Sequence, residues 1–307
     1  MKIFAICNSD QLGLPTVVRL KELDFLVGVS YVERYVPLIH SFKSIGIADE
    51  KIYSLSKENW VNSLQEAISE LKPDYVFVLT FPWKIPSNLL NLLPGSFINF
   101  HFGLLPKYKG ADPIFWEVKN YEPEGGLTVH VMNEEIDEGA VIMQEKAPIG
   151  PGISYGLYCN QLTQSIGAWT DALLNKLQTE PLQFLELEAG ESAPDRSPTQ
   201  TDLTINWAEQ TALEIENLVN AANPRYGGAI TTFAGQPLRI LEVTPMGGND
   251  DMKGQPGEIV HADLTYGIIV ICADGEFLRV SVAEIAGAYI SGIKLTTFGF
   301  FKGAKFG

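Results

Sequence analysis

Three polar side chains in the middle of the chain have the types and spacing expected for acyl transfer. Asn99 and His101 stand two residues apart in the apolar run 96–101, so on a strand their side chains share one face. A strand followed by a Gly-Leu-Leu-Pro turn is expected to end where parallel sheets bind ligands. Asn99 can donate an amide N–H to an oxygen, and His101 titrates near neutral pH. Asp137, in a later loop, is expected to set the protonation of His101.

The residues around these side chains form a recognisable three-part motif. Asn99-x-His101 is followed at once by Gly-Leu-Leu-Pro-x-x-x-Gly, and later by Asp137-x-Gly139. This pattern resembles the formyltransferases that take their formyl group from 10-formyltetrahydrofolate. The nearest members are of the methionyl-tRNA formyltransferase and sugar-nucleotide N-formyltransferase types, and the resemblance covers most of the chain.

The resemblance implies a binding site for 10-formyltetrahydrofolate as the formyl donor. The residues expected to bind it lie in three loops: Phe81, Pro82, Trp83, Ile85, Leu104, Leu105, Pro106, Ile136, Glu138 and Gly139. For Trp83 the alternative is a side chain packed on the neighbouring helix. No metal is expected, because no His, Cys or Asp cluster has ligand spacing.

The acceptor is expected to meet the turn that follows the Gly-Leu-Leu-Pro sequence. The residues assigned to acceptor binding are Lys107, Tyr108, Lys109 and Asp112. The alternative for the two lysines is a solvated turn. His130, in the middle of a predicted strand, is interpreted as a packed residue rather than a catalytic one.

The implied reaction is attack of a primary amine on the formyl carbonyl. Negative charge then develops on the formyl oxygen, where Asn99 and His101, as imidazolium or as a neutral donor, would stabilise it. Asp137 would hold His101 in place, raise its pKa and order a water that carries the amine proton away.

The expected fold is α/β: a Rossmann-like, doubly wound, mostly parallel sheet followed by a small OB-like β-barrel. Apolar runs at 2–7, 25–32, 51–55, 74–80 and 96–101 alternate with helical patterns, as in a parallel sheet. The turn after the first run lacks Gly-x-Gly-x-x-Gly, which argues against a dinucleotide site. Several short predicted strands, the first of which begins at residue 229, suggest the small β-barrel. The expected domains are 1–180, a linker at 181–202, and 203–307.

The composition of the chain limits the cellular location expected for the protein and the partners it is expected to bind. The formal net charge of −15 is unfavourable for binding a polyanion such as tRNA. The three cysteines, Cys7, Cys159 and Cys272, are scattered in a way that suits reduced thiols, and no apolar run reaches the length of a membrane span. The sequence therefore predicts a cytoplasmic protein without membrane association, and it leaves the oligomeric state open.

The chain departs from the family pattern at three points. Gly103 stands where a serine usually precedes Leu-Leu-Pro, Asp112 is an unusual acid, and residues 33–50 offer only Arg34 and Lys43 in place of a basic loop. These departures favour a small amine, such as an amino-sugar nucleotide, over the alternative acceptor, methionyl-tRNA. A 10-formyltetrahydrofolate hydrolase is the further alternative.

Overall fold

The chain forms two compact units. The computed structural model describes residues 1–179, 181–187, 195–247 and 252–307. The first unit comprises Met1–Pro113, Gly125–Pro148 and Cys159–Asp195, and the second comprises Ile114–Glu124, Ile149–Tyr158 and Arg196–Gly307. Residues 188–194 of the expected linker lie outside the described part, and the domain limits expected from sequence stay a prediction.

The first unit is built on one sheet. Within the described residues its strands are arranged in the order β3-β2-β1-β4-β5-β6-β7. The strands β1 to β5 run parallel to one another, and β6 runs antiparallel to β5. The strands are β1 (Ile3–Cys7), β2 (Leu26–Val32), β3 (Ile52–Leu55), β4 (Tyr75–Leu79), β5 (Phe97–His101), β6 (Glu124–Val131) and β7 (Val141–Pro148).

Helices connect these strands, and two of them, Pro37–Ser44 and Ser87–Leu90, were not predicted from the sequence. The helices are α1 (Leu14–Glu22), α2 (Pro37–Ser44), α3 (Trp60–Leu71), α4 (Ser87–Leu90), α5 (Pro113–Lys119) and α6 (Tyr155–Leu177), with a 3₁₀ turn at Asp49–Lys51. Every residue of β1 is buried, because a central parallel strand is covered on both faces. The α1 and α6 helices are joined by a bidentate pair from Arg19 to Asp171, with nitrogen–oxygen distances of 2.7 and 3.0 Å.

The second unit contains an antiparallel sheet. Its strands are β8 (Ala229–Phe233), β9 (Gln236–Met246), β10 (Ile259–Asp263), β11 (Gly267–Ile271), β12 (Phe277–Ile285) and β13 (Ala288–Ser291). Their order is β10-β11-β12-β9-β8, and β13 pairs with β12. The remaining helices are α7 (Gln200–Leu203), α8 (Ala212–Ala222) and α9 (Gly292–Leu295), and a 3₁₀ turn follows at Thr296–Phe298.

The fold class expected from the sequence is confirmed: a Rossmann-like sheet is followed by a separate antiparallel sheet. Two details differ from expectation. The sequence pattern of residues 208–222 predicts one helix, and that helix begins at Ala212, because Thr211 and Glu214 form a reciprocal capping box at its N-terminus. The strand β13 was not predicted. Among the described residues, no helix is both long and apolar enough to cross a membrane.

Candidate active site

Two neighbouring strands bring the polar side chains of the site together. The β5 strand is paired with β4 on one side and with antiparallel β6 on the other. In this register Asn99 stands opposite His130, and His101 stands opposite Thr128. Directly opposed residues on a sheet have side chains in contact range, which explains why His130 joins Asn99 and His101.

Asp137 is the centre of this group. Its Oδ1 lies 3.2 Å from Asn99 Nδ2 and 3.2 Å from His130 Nε2. Its Oδ2 accepts a hydrogen bond from the Gly110 N–H at 2.8 Å and lies 3.4 Å from His101 Nδ1. The structure therefore brings the three predicted catalytic residues together around one carboxylate.

His130 is the residue whose part in the site the sequence did not reveal. The side chain is buried, as expected of a packed strand residue, but its Nε2 also contacts Asp137. An ionised carboxylate only accepts hydrogen bonds, so this Nε2 carries a proton and donates it to Oδ1. Asn99 Nδ2 donates to the same oxygen and also lies 3.1 Å from His130 Nε2. The antiparallel pairing of β5 with β6 places His130 opposite Asn99, and this pairing is what the sequence did not reveal.

Burial and hydrogen bonds act in opposite directions on the pKa values of the site. Burial alone would raise the pKa of Asp137, but the hydrogen bond from His130, the nearby His101 and the Gly110 amide lower it to about 2. The pKa of His101 is lowered, because burial outweighs the attraction of Asp137. The expected effect of Asp137 is present, since it favours the charged form of His101, but it is smaller than the effect of burial.

The loop after β5 is fastened to the Asp137 loop. Lys109 is buried, and its Nζ lies 2.6 Å from Oε1 of the exposed Glu138. The carbonyl of Tyr108 accepts a hydrogen bond from His101 Nε2 at 2.8 Å. Of the residues assigned to acceptor binding, Lys107 is exposed and Asp112 is half-buried with a positive φ of 57°. Lys109, which was assigned to acceptor binding, is therefore paired with Glu138, which was assigned to donor binding.

Gly139 is required by close packing of the Asp137 loop. A Cβ at this position would lie 1.6 Å from the backbone oxygen of Val131. Every residue other than glycine would therefore push the loop away from β6 and separate Asp137 from His130. This observation gives Gly139 a structural reason for its place in the Asp-x-Gly motif.

The aromatic residues assigned to the donor form a separate cluster. The rings of Phe81 and Trp83 lie 5.2 and 5.4 Å from Trp60, in the first turn of α3. Trp83 is thus packed on a helix, as the alternative interpretation held, yet it stays half-buried. Pro82 is exposed, whereas the Ile85 side chain lies in the apolar core.

The surface beside the polar group suits a flat ring. Ile136, which precedes Asp137, leaves 43% of its area exposed, and Leu104 and Pro106 are half-buried. Leu105 is buried, and its N–H and carbonyl are held by Thr128 and Gln144. Their assignment to the folate donor stays a prediction. Among the described residues, no three His, Cys, Asp or Glu side chains are grouped as a metal site needs.

Comparison with known proteins identifies the class to which this arrangement belongs. The sequence profile described as "Formyl transferase" matches residues 27–167, and "Formyl transferase, C-terminal domain" matches residues 198–296. The chain is 32% identical to the methionyl-tRNA formyltransferase of Geobacter metallireducens over 72% of this chain and 68% of that protein. The corresponding protein of Desulforamulus reducens is 30% identical over 71% and 68%. The chain therefore belongs to the formyl transferase family.

Solved structures show the same fold. HypX from Aquifex aeolicus, in complex with tetrahydrofolic acid, matches 98% of this chain at 16% identity with a TM-score of 0.68. This chain spans about half of that protein, 48% of its length. Phosphoribosylglycinamide formyltransferase from Streptococcus pneumoniae matches 58% of this chain and 99% of its own, at 18% identity and a TM-score of 0.52. The family and enzyme class expected from the motif, a 10-formyltetrahydrofolate-dependent formyltransferase, are confirmed.

Proposed function

We propose that this protein transfers the formyl group of 10-formyltetrahydrofolate to the amino group of methionyl-tRNA. The observation that carries the proposal is the similarity to methionyl-tRNA formyltransferases over about 70% of the chain. The C-terminal profile, at residues 198–296, adds a second part that matches the same family. The sequence alone favoured a small amine, and the relatives favour the alternative.

The charge distribution of the second unit supports a polyanionic acceptor. Residues 285–307 contain Lys294, Lys302 and Lys305 and no acidic residue, although the whole chain carries −15. Three large aromatic side chains in the same segment, Tyr289, Phe298 and Phe301, are exposed. Lysines beside exposed aromatic rings are a combination that binds phosphates and stacks on bases.

The proposed roles of the site residues follow from the protonation states. Asn99 would donate an amide N–H to the formyl oxygen. His101 would act as a neutral donor rather than as imidazolium, because its pKa is lowered. Asp137, with a pKa of about 2, stays ionised at neutral pH and is not the final proton store. It would instead hold Asn99, His101 and His130 in place and favour positive charge on the attacking amine, and the proton that the amine loses would pass through water to N10 of the leaving tetrahydrofolate.

A small amine is the second candidate, and the charge near β2 favours it. The segment 33–50, where the resembled tRNA enzymes carry a basic loop, contains Arg34 and Lys43. The Nζ of Lys43 forms an ion pair with Asp49 at 3.0 Å. Its charge is therefore largely neutralised, as is that of Lys109 by Glu138.

A tRNA titration at two salt concentrations separates the candidates. We expect salt-dependent binding, formylation of charged methionyl-tRNA, and weaker binding by the double variant Lys302→Ala, Lys305→Ala with a salt slope reduced by about one per lost phosphate contact. The exposed Lys57 of the first unit, changed to Ala, is the control. Turnover with amino-sugar nucleotides and no tRNA binding would establish the second candidate, and turnover without any amine would indicate a hydrolase. The proposal includes a cytoplasmic location, where charged tRNA is available.

A further inference from the structure

Both ring nitrogens of His101 face acceptors within the protein. Nε2 lies 2.8 Å from the carbonyl oxygen of Tyr108, and Nδ1 lies 3.4 Å from Asp137 Oδ2. Both of these oxygens only accept hydrogen bonds, and the contact of Nε2 is the shorter by 0.6 Å, so we place the proton of the neutral ring on Nε2. Within the described residues that N–H is already used. It can reach a substrate oxygen only if the Tyr108 carbonyl gives way.

Contacts on both sides of Tyr108 hold its carbonyl at His101. Lys109 is paired with Glu138, and the Gly110 N–H donates to Asp137 at 2.8 Å. The backbone of Asp195 donates to the Lys109 carbonyl at 2.7 Å and accepts from the Ala111 N–H at 2.9 Å. Tyr108 has a positive φ of 53°, a conformation that non-glycine residues keep only when their neighbours enforce it.

Gly103 leaves the space in which this contact forms. A Cβ at residue 103 would lie 3.0 Å from His101 Nε2 and 2.7 Å from Pro113 Cβ. The proline ring is part of the backbone and cannot turn aside, so a side chain would displace either the ring of His101 or the start of α5.

We propose that, in the donor-free protein, the Tyr108 carbonyl oxygen takes the hydrogen bond from His101 that the formyl oxygen takes during the reaction. Gly103 is then a positioning residue, because it allows the ring to lie against the loop. Both partners are carbonyl oxygens, so the buried N–H keeps an acceptor throughout the exchange. The inference rests on the proposed use of His101 as a donor to the formyl oxygen.

The exchange gives the site a means of distinguishing the donor from its product. 10-Formyltetrahydrofolate brings a carbonyl oxygen that replaces the one from Tyr108. Tetrahydrofolate has lost that oxygen, so the Tyr108 contact is restored when it remains bound. A ligand shifts such an equilibrium only by its differential affinity for the two states, and the formyl group supplies that difference.

Histidine ¹⁵N NMR tests the exchange without turnover. Spectra are recorded for the free protein, with tetrahydrofolate, and with 10-formyltetrahydrofolate in the absence of an acceptor; His101→Gln assigns the signal. We expect a hydrogen-bonded Nε2–H tautomer in the free protein, little change with tetrahydrofolate, and a shifted Nε2–H signal with the formyl donor. A free protein with the proton on Nδ1, or equal changes with both ligands, would overturn the inference.

Weakening the ion pair between Lys109 and Glu138 gives an independent measurement. Glu138→Gln removes the charge partner of buried Lys109, so the Tyr108 carbonyl should be held less firmly. We expect the ratio of the affinity for 10-formyltetrahydrofolate to the affinity for tetrahydrofolate to rise about threefold, because any direct contact of Glu138 with folate is shared by both ligands. Glu135→Gln removes an exposed charge from the same loop and serves as the control. Equal effects of Glu138→Gln on both ligands would contradict the exchange.

Gly103→Ala completes the test. The added Cβ should abolish the free-protein hydrogen bond of His101 Nε2, whereas Gly167→Ala should not, because a Cβ there meets no described atom within 4 Å. A Gly103→Ala protein with an unchanged His101 signal would contradict the assigned role of Gly103. Failure of either folate to bind would overturn the donor assignment as well. Failure to formylate tRNA would leave these results untouched and refute only the acceptor.

Discussion

Two loops follow neighbouring parallel strands, and they are held in different ways. The loop after β4, residues 80–86, is held by aromatic rings that pack on Trp60. The loop after β5, residues 102–112, is held by hydrogen bonds and an ion pair that join it to Asp137 and Glu138. Hydrogen bonds weaken steeply with misalignment, whereas apolar packing is non-directional. The difference suggests that the β5 loop positions reacting groups and the β4 loop provides surface.

The largest effect is expected from Asn99→Ala, in the strand β5 that leads into the hydrogen-bonded loop 102–112. This change removes the N–H that we assign to the formyl oxygen and a donor to Asp137. A lost donor of this kind costs on the order of 10²–10³ in kcat, measured with both substrates saturating. Asn62→Ala, on the exposed face of α3, is the matched control. A kcat within about tenfold of the unmodified protein would remove Asn99 from the site.

The second expected effect is a dependence of stability on acidic pH that comes from Asp137. Its folded pKa of about 2 lies below the ordinary aspartate pKa of 3.8, so the unfolded chain binds the proton more readily. Its contribution is therefore complete above about pH 4 and is lost as the pH falls towards 2. It amounts to about 2 kcal/mol of unfolding free energy.

Urea unfolding of the protein and of Asp137→Asn from pH 5 to pH 2 measures this contribution. The difference between the two free energies should shrink as the pH falls. Carboxyl ¹³C NMR of Asp137 gives the same pKa directly if the variant folds poorly. A difference that does not change with pH would show that the hydrogen bonds from His130 and Gly110 do not favour the charged carboxylate.

The sequence predicted the polar part of the site better than its surroundings. Asn99, His101 and Asp137 are specified by a motif, and the strand that carries the first two has an unambiguous apolar pattern. The contribution of His130 was not predictable, because strand patterns do not reveal which antiparallel partner stands opposite Asn99. The burial that lowers the pKa of His101 is likewise a property of tertiary packing.

The elements that the sequence missed are short, and the longest of them, α2, has eight residues. The α4, α7 and α9 helices and strand β13 each contain four residues, too few for a period of 3.6 or 2 to be recognised. The long elements were predicted to within a few residues, because several turns or alternations of apolar side chains define them. The burial of the Lys109 side chain was not predictable either, because it depends on the contact between two loops that brings Lys109 to Glu138.

The smallest expected effect is at the aromatic loop, from Trp83→Leu. The ring of Trp83 lies 5.4 Å from both Trp60 and Phe81. Aromatic pairs of this kind contribute roughly 0.5–1.5 kcal/mol, so we expect the unfolding free energy to fall by about 1 kcal/mol. If the half-buried ring also touches the pterin, the dissociation constant of the donor should rise about three- to tenfold with kcat unchanged.

Trp60→Leu distinguishes packing from binding in this cluster. Trp60 belongs to α3 and contacts the same rings, so its loss should lower stability by a similar amount and leave donor affinity unchanged. Equal losses of donor affinity in the two variants would mean that the cluster acts only by holding the loop. A fall in kcat for Trp83→Leu alone would mean that the β4 loop positions reacting groups too, and the contrast between the two loops would then be wrong.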